Sequence, residues 1–255
     1  VFFRNLVSAI IALYLILKHK GSLTGKKENI PFDILNLSGY NIGNFCLPFA
    51  QSFLEPLSLL GITLFDMGNA FYCNGGAKAV AEVFKNSIHR VPGTETATKT
   101  QLKNSLKTMG RALSRSTPFL VYFGMLIVLI LGIPIPRLVL SVTQIGSNAN
   151  AFTAMLMIGV GFKLNIKKDG ISHVIRILFT RYAVTISFAA IAFFCLPFPL
   201  QIRQALVLAF LSPIASACPA YTDALGEDYE LASTINSISM LISIGLITAA
   251  LIVML

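Results

Sequence analysis

The chain has 255 residues, of which 55% are hydrophobic and only 12% charged, with a mean hydropathy of +0.74. Soluble domains average roughly 45–50% apolar and 25% charged residues, so this composition excludes an ordinary soluble domain and points to an integral membrane protein. The formal charge of +9 does not point to nucleic acid, because the basic residues stand between apolar segments instead of forming a stripe interleaved with aromatics; loops facing an anionic leaflet account for it.

Hydrophobic segments are predicted at about 1–18, 32–54, 56–83, 118–133, 147–165, 171–196, 200–225 and 229–255. Several approach the roughly 20 residues needed to cross a bilayer core. Their apolar runs are continuous, whereas a transmembrane β-barrel would alternate in segments of about ten residues, so the fold class is an all-α integral membrane protein. The first run ends in KHKGSLTGKK without a small-residue cleavage site and does not read as a signal peptide. The one long polar interval, about 85–117, carries Lys99, Lys103, Lys107 and Arg111 at helical spacing. It reads as a basic cytoplasmic connector, with regulatory lipid binding as the alternative.

Lys and Arg accumulate on the cytoplasmic side. Placing 85–117 inside also puts KHKGSLTGKK and KLNIKKDG inside, leaves few basic residues outside and places both termini outside. The chain then divides into a partial first repeat of three spans at 1–84, the basic loop at 85–117 and a second repeat of five spans at 118–255.

Two stretches, CLPFAQSFL from Cys46 and ACPAYTDAL from Ala217, place a proline inside an otherwise apolar segment and superpose with Pro48 over Pro219, Gln51 over Thr222 and Leu54 over Leu225. The turn near Glu55 faces outward and GEDYE faces inward, so the two segments run in opposite directions, as in an inverted repeat. The pattern predicts two crossing helices broken at Pro48 and Pro219, with freed backbone groups available to a ligand at mid-membrane. Three spans precede the second proline segment and one precedes the first. By symmetry the chain is expected to be a partial version of a ten-span, five-plus-five protein; a divergent eight-span protein is the alternative.

Seven residues before each proline stand Asn41 and Ser212, a carboxamide and a hydroxyl able to bind a carboxylate beside half-helix N-termini. Asn44, Gln51, Ser216, Tyr221, Thr222 and Asp223 lie within about two turns of a break. Asp66 sits deep in an apolar segment, where a carboxylate is costly unless protonated, paired or wetted, and is a candidate for proton coupling. Its bland reading is an acid neutralised by Asn69 or a nearby Arg. Arg181 is read as a partner for Asp66, a counter-charge for substrate or a snorkelling side chain. Asn148 and Asn150 are expected to cap the start of a span. Cys46, Cys73, Cys195 and Cys218 show no metal-ligand spacing, and His19, His89 and His173 form no cluster with them, so no metal, disulfide or cofactor is expected.

Taken together, these motifs resemble the auxin efflux carrier (AEC) family of secondary transporters. The run ACPAYTDALGEDYELASTINSISMLISIGLITAALI resembles the family's C-terminus, with Asp228, Ala232 and Ser233 in its acidic stretch. NIGNFCLPFAQSFL is similar to the family's N-x-G-x-x-G-x-P segment, with Cys46 where the second glycine usually stands. The stretch from Ser116 to Leu164 resembles the central block, with Thr117 in place of the usual Asn and Ala154 where Pro is frequent. The resemblance covers the chain from Asn41 onward. It implies a ten-helix inverted-repeat fold, alternating access around crossing helices, transport of organic anions such as auxins or dicarboxylates, and homodimerisation. It also places Asn41 near the substrate carboxylate, and Pro48 and Pro219 at the crossing. Asp66 matches no motif of the family.

The expected function is therefore secondary active transport of a small organic anion by a multi-pass protein of the cell membrane, with a proton as coupling ion. A sodium-coupled carrier resembling bile-acid symporters, using oxygens from Gln51, Ser216, Thr222 and Asp223, is one alternative. A carrier-fold protein without transport activity is another. No Walker loop, H-E-x-x-H or G-x-S-x-G motif argues for an enzyme.

Overall fold

The computed structural model describes residues 29–88, 117–162 and 170–254, with four isolated positions between 107 and 114. The segment expected at 1–18 and most of the basic connector lie outside the described residues. Those described are helical, with no strand among them: α1 (Ile30–Leu37), a π turn (Ile42–Cys46) running into α2 (Leu47–Phe53), α3 (Pro56–Phe71), a second π turn (Tyr72–Gly76), α4 (Ala77–Ile88), α5 (Thr117–Ile130), α6 (Arg137–Gly161), α7 (Ile171–Phe194), α8 (Leu200–Leu211), α9 (Cys218–Ala224) and α10 (Tyr229–Met254). Two of them, α7 and α10, are long and apolar enough to cross a membrane. The expected boundary at 84 falls inside α4. The span expected at 147–165 begins ten residues earlier, where Pro134 and Pro136 end the preceding turn and release Arg137 into the helix.

Two helices are interrupted, but neither break lies at the expected proline. α1 stops at Leu37, and the chain passes through Ser38, Gly39, Tyr40 and Asn41 before helix resumes. Gly39 has φ +83°, the left-handed conformation that commonly ends a helix. α8 stops at Leu211 because Pro213 follows: a proline drives its predecessor out of the helical region, and Ser212 has the extended backbone φ −64°, ψ 148°. Pro219 sits near the start of α9, where a missing N–H costs nothing. Pro48 is the second residue of α2, just after the first π turn; the wider turn relieves its ring of the carbonyl four residues back.

Packing forms two apolar clusters stacked along the bundle. One joins α1, α4, α9 and the first halves of α7 and α10, through residues such as Leu35, Ala81, Ile177 and Ile235. The other joins α2, α3, α8 and the second halves of α7 and α10, through Phe45, Ile62, Leu208 and Ile247. The interrupted stretches fall between these clusters, and the polar residues of α7 and α10 concentrate at that level. Gly61 lets α3 and α8 approach, since a Cβ there would lie 3.0 Å from Ile202 and 3.2 Å from Ala205.

The ends of the bundle are tied separately. Lys85 donates to the carbonyl of Leu225 and lies 3.5 Å from Glu227, fastening α4 to the turn after α9. At the other end Gln201 donates to Glu55 at 3.2 Å. α5 and α6 stand outside both clusters and present outward apolar side chains such as Leu129, Ile130, Leu138 and Ile145.

Gly39→Ala is expected to destabilise the fold by about 1–3 kcal/mol. The residue would need φ +83°, and its Cβ would lie 2.8 Å from the Cys73 sulfur. A lowered thermal midpoint in detergent is the readout; an unchanged one would mean that the 38–41 stretch accommodates a side chain.

Candidate functional site

The two interruptions meet. The Asn41 amide donates to the carbonyl of Pro213 at 3.0 Å, joining one interrupted stretch to the other through the backbone. Several of their other peptide groups are met by side chains from neighbouring helices. Asn69 of α3 accepts from the Tyr40 N–H at 3.1 Å and donates to the Tyr40 carbonyl at 2.8 Å. Ser239 of α10 accepts from the Ile214 N–H at 3.2 Å, and Asn236 donates to the Ala215 carbonyl at 3.1 Å. Arg181 of α7 donates to the carbonyls of Leu37 at 2.9 Å, Gly39 at 2.8 Å and Ser212 at 3.3 Å, with its guanidinium 4.5 Å from the centre of the Tyr40 ring. A non-helical backbone in an apolar bundle needs such partners, because each unpaired group costs the full desolvation of a buried peptide.

This geometry corrects the reading of Arg181. It neither snorkels, being 2% exposed, nor pairs with Asp66: its terminal nitrogens are committed to three carbonyls. It neutralises the carbonyl ends of α1 and α8 where they converge.

Beside the junction lies a cavity of about 550 Å3, walled by the 40–51 stretch, α3, α5, α6 and residues 215–217. Of the residues singled out in the sequence, Asn41, Asn44, Gln51, Asp66 and Ser216 line it. Asn41 is 4% exposed, and its side-chain nitrogen has no hydrogen-bond partner among the described residues. Asp66 accepts from the Tyr122 hydroxyl at 2.6 Å and from Asn69 at 3.2 Å. Gly43 faces this carboxylate, a Cβ there lying 3.5 Å from its oxygen.

Other expected residues lie elsewhere. Ser212 donates to the Leu208 carbonyl at 2.9 Å instead of facing the cavity, because the turn forced by Pro213 folds its hydroxyl back on α8. Thr222 donates to the Cys218 carbonyl at 2.9 Å. Pro48, Pro219, Tyr221 and Asp223 do not line the cavity. The four oxygens considered for sodium therefore do not converge. Asn148 and Asn150 are interior residues of α6 and not caps: Asn148 accepts from Gln144 at 2.9 Å, and Asn150 lines the cavity.

Sequence reasoning missed Tyr122, Thr143 and Ser147, which α5 and α6 bring to the cavity. Tyr122 carried a signal, as the one polar side chain between Thr117 and the end of an otherwise apolar helix. Thr143 and Ser147 are four residues apart, on one helical face, with Gln51 donating to Ser147 at 3.4 Å. Also missed was a buried pair, His173 and Asp33 at 2.7 Å, linking α7 to α1 away from the cavity.

Comparison with family models, curated proteins and solved structures returned no match. The functional reading therefore stands on the geometry and on the motifs in the sequence.

Proposed function

We propose that this chain is a secondary carrier for a small organic anion, embedded as a multi-pass protein in the cell membrane and resembling the auxin efflux carriers. In this reading the two interrupted helices are corresponding parts of an inverted repeat. The cavity beside their junction is the substrate site, and Asp66 is the proton-coupling acid. A second copy of the chain is the expected partner. The observation that carries the reading is the unpartnered side-chain nitrogen of Asn41, a buried donor lining a polar cavity at the junction. A buried donor left unpaired costs about 1–3 kcal/mol, and a substrate carboxylate entering the cavity would recover it. Further support comes from the depth of Asp66 between apolar clusters and from the outward apolar faces of α5, α7 and α10.

Asn41→Ala is expected to reduce uptake into proteoliposomes at least tenfold, the weight of one charge-assisted hydrogen bond, while the protein stays monodisperse in detergent. Wild-type uptake by a folded Asn41→Ala protein would remove Asn41 from the site.

A further inference from the structure

The charge content of the cavity restricts what can cross with it. Resting on the carrier reading above, we propose that each anion is carried together with one proton held on Asp66, so that the cavity accepts monoanionic carboxylates and rejects dianions.

Asp66 is the acid among the lining residues, and the described lining residues include no Lys, Arg or His. Arg181 stands behind the Tyr40 ring with both terminal nitrogens on carbonyls, so its charge serves the junction. The groups facing the Asp66 carboxyl are Tyr122 from α5, Cys46 and Gly43 from the π turn, and Asn69 from its own helix; Tyr40 and Cys73 complete this end of the cavity. These supply donors and no countercharge. A carboxylate admitted about 6 Å from an ionised Asp66 would be weakened on the order of a hundredfold at an effective dielectric near 20. Protonating Asp66 removes that repulsion. The neutral donors Asn41, Asn44, Gln51 and Ser216 then solvate one negative charge; a second would again be buried without a partner.

The proton balance follows. On one side of the membrane Asp66 takes a proton from water and the anion enters; on the other side the anion leaves and the proton returns to water. The loaded cavity carries the charge of the anion and the empty one carries that of the carboxylate. The same charge therefore moves in both halves of the cycle, and net transport is electroneutral.

The test uses the full chain in proteoliposomes containing a pH dye, with potassium and valinomycin setting the potential and protein-free vesicles subtracted. The probes are two size-matched pairs: lactate with malate, and phenylacetate with phenylmalonate, at pH 7.5. The expected result is internal acidification accompanying monoanion entry, with a final accumulation unchanged by an imposed potential and with dianion flux at least tenfold slower. Asp66→Asn is expected to uncouple the two, giving monoanion flux that follows the potential without acidification. Dianion flux equal to monoanion flux, or wild-type flux driven by the potential, would overturn the proposal while leaving the carrier reading intact. Flux of none of the four probes above protein-free vesicles would overturn the carrier reading, and this inference with it.

Discussion

Replacing Arg181 with alanine is expected to lower stability by about 3–5 kcal/mol, the cost of breaking a buried charged network. Three carbonyls, from Leu37, Gly39 and Ser212, lose their donor at once. The site is buried between the two apolar clusters. Arg181→Lys is expected to fall between wild type and alanine, because an ammonium on a shorter stem lacks the planar fork that reaches separate acceptors. The measurement is thermal unfolding in detergent, followed by exposure of the buried thiols of Cys46 and Cys218 after the exposed Cys195 has been blocked. A midpoint for Arg181→Ala within a degree of wild type would mean that the carbonyl ends find other donors, and the junction would then not depend on α7.

Asn69→Leu is the second large effect, with an expected loss of about 2–4 kcal/mol for two unpaired buried peptide groups. The Asn69 carboxamide meets both the N–H and the carbonyl of Tyr40, acting as a neighbouring strand would. The same nitrogen also donates to Asp66, so the substitution alters the cavity as well as the fold. Faster hydrogen exchange at the Tyr40 amide, ahead of global unfolding, is the local signature expected. Asn69→Asp should be worse than leucine, since it keeps the acceptor, loses the donor and sets a second carboxylate beside Asp66. Equal stability of Asn69→Leu and wild type would show that the 38–41 stretch is held without Asn69, by the backbone bond from Asn41 to Pro213 and the Arg181 bond to the Gly39 carbonyl.

The two effects share a cause that bears on function. An interrupted helix in an apolar bundle persists only where neighbours satisfy its peptide groups, and here those neighbours are Asn69 of α3, Arg181 of α7, and Asn236 and Ser239 of α10. The same arrangement leaves Asn41 with an unpartnered side-chain nitrogen at the cavity. Stability at the junction and binding capacity beside it are built from one set of polar residues at one level of the bundle.

Much of this was legible in the chain itself. Hydropathy established a helical bundle with apolar surfaces, because burial and lipid exposure both demand long apolar runs. The depth of Asp66 marks it in the sequence, because an acid between apolar segments is costly wherever it points. The paired segments around Pro48 and Pro219 do not mark the breaks, which lie several residues earlier than either proline. The residue that ends α8 is Pro213, by restricting Ser212, and the one that ends α1 is Gly39, by its left-handed backbone. Local rules could have identified both, since they depend on adjacent residues alone.

What the sequence by itself determined is the helical class, the apolar character and the buried acid, all consequences of composition and short-range sterics. Only the tertiary structure decided that Arg181 serves three carbonyls instead of Asp66 or a ligand, that Ser212 turns away while Asn41 faces the cavity, and that Tyr122 reaches Asp66 from a helix 56 residues further along the chain. Those outcomes depend on which helix faces lie against one another. Facing is set by the sum of many weak packing contacts across the bundle, which no local pattern encodes.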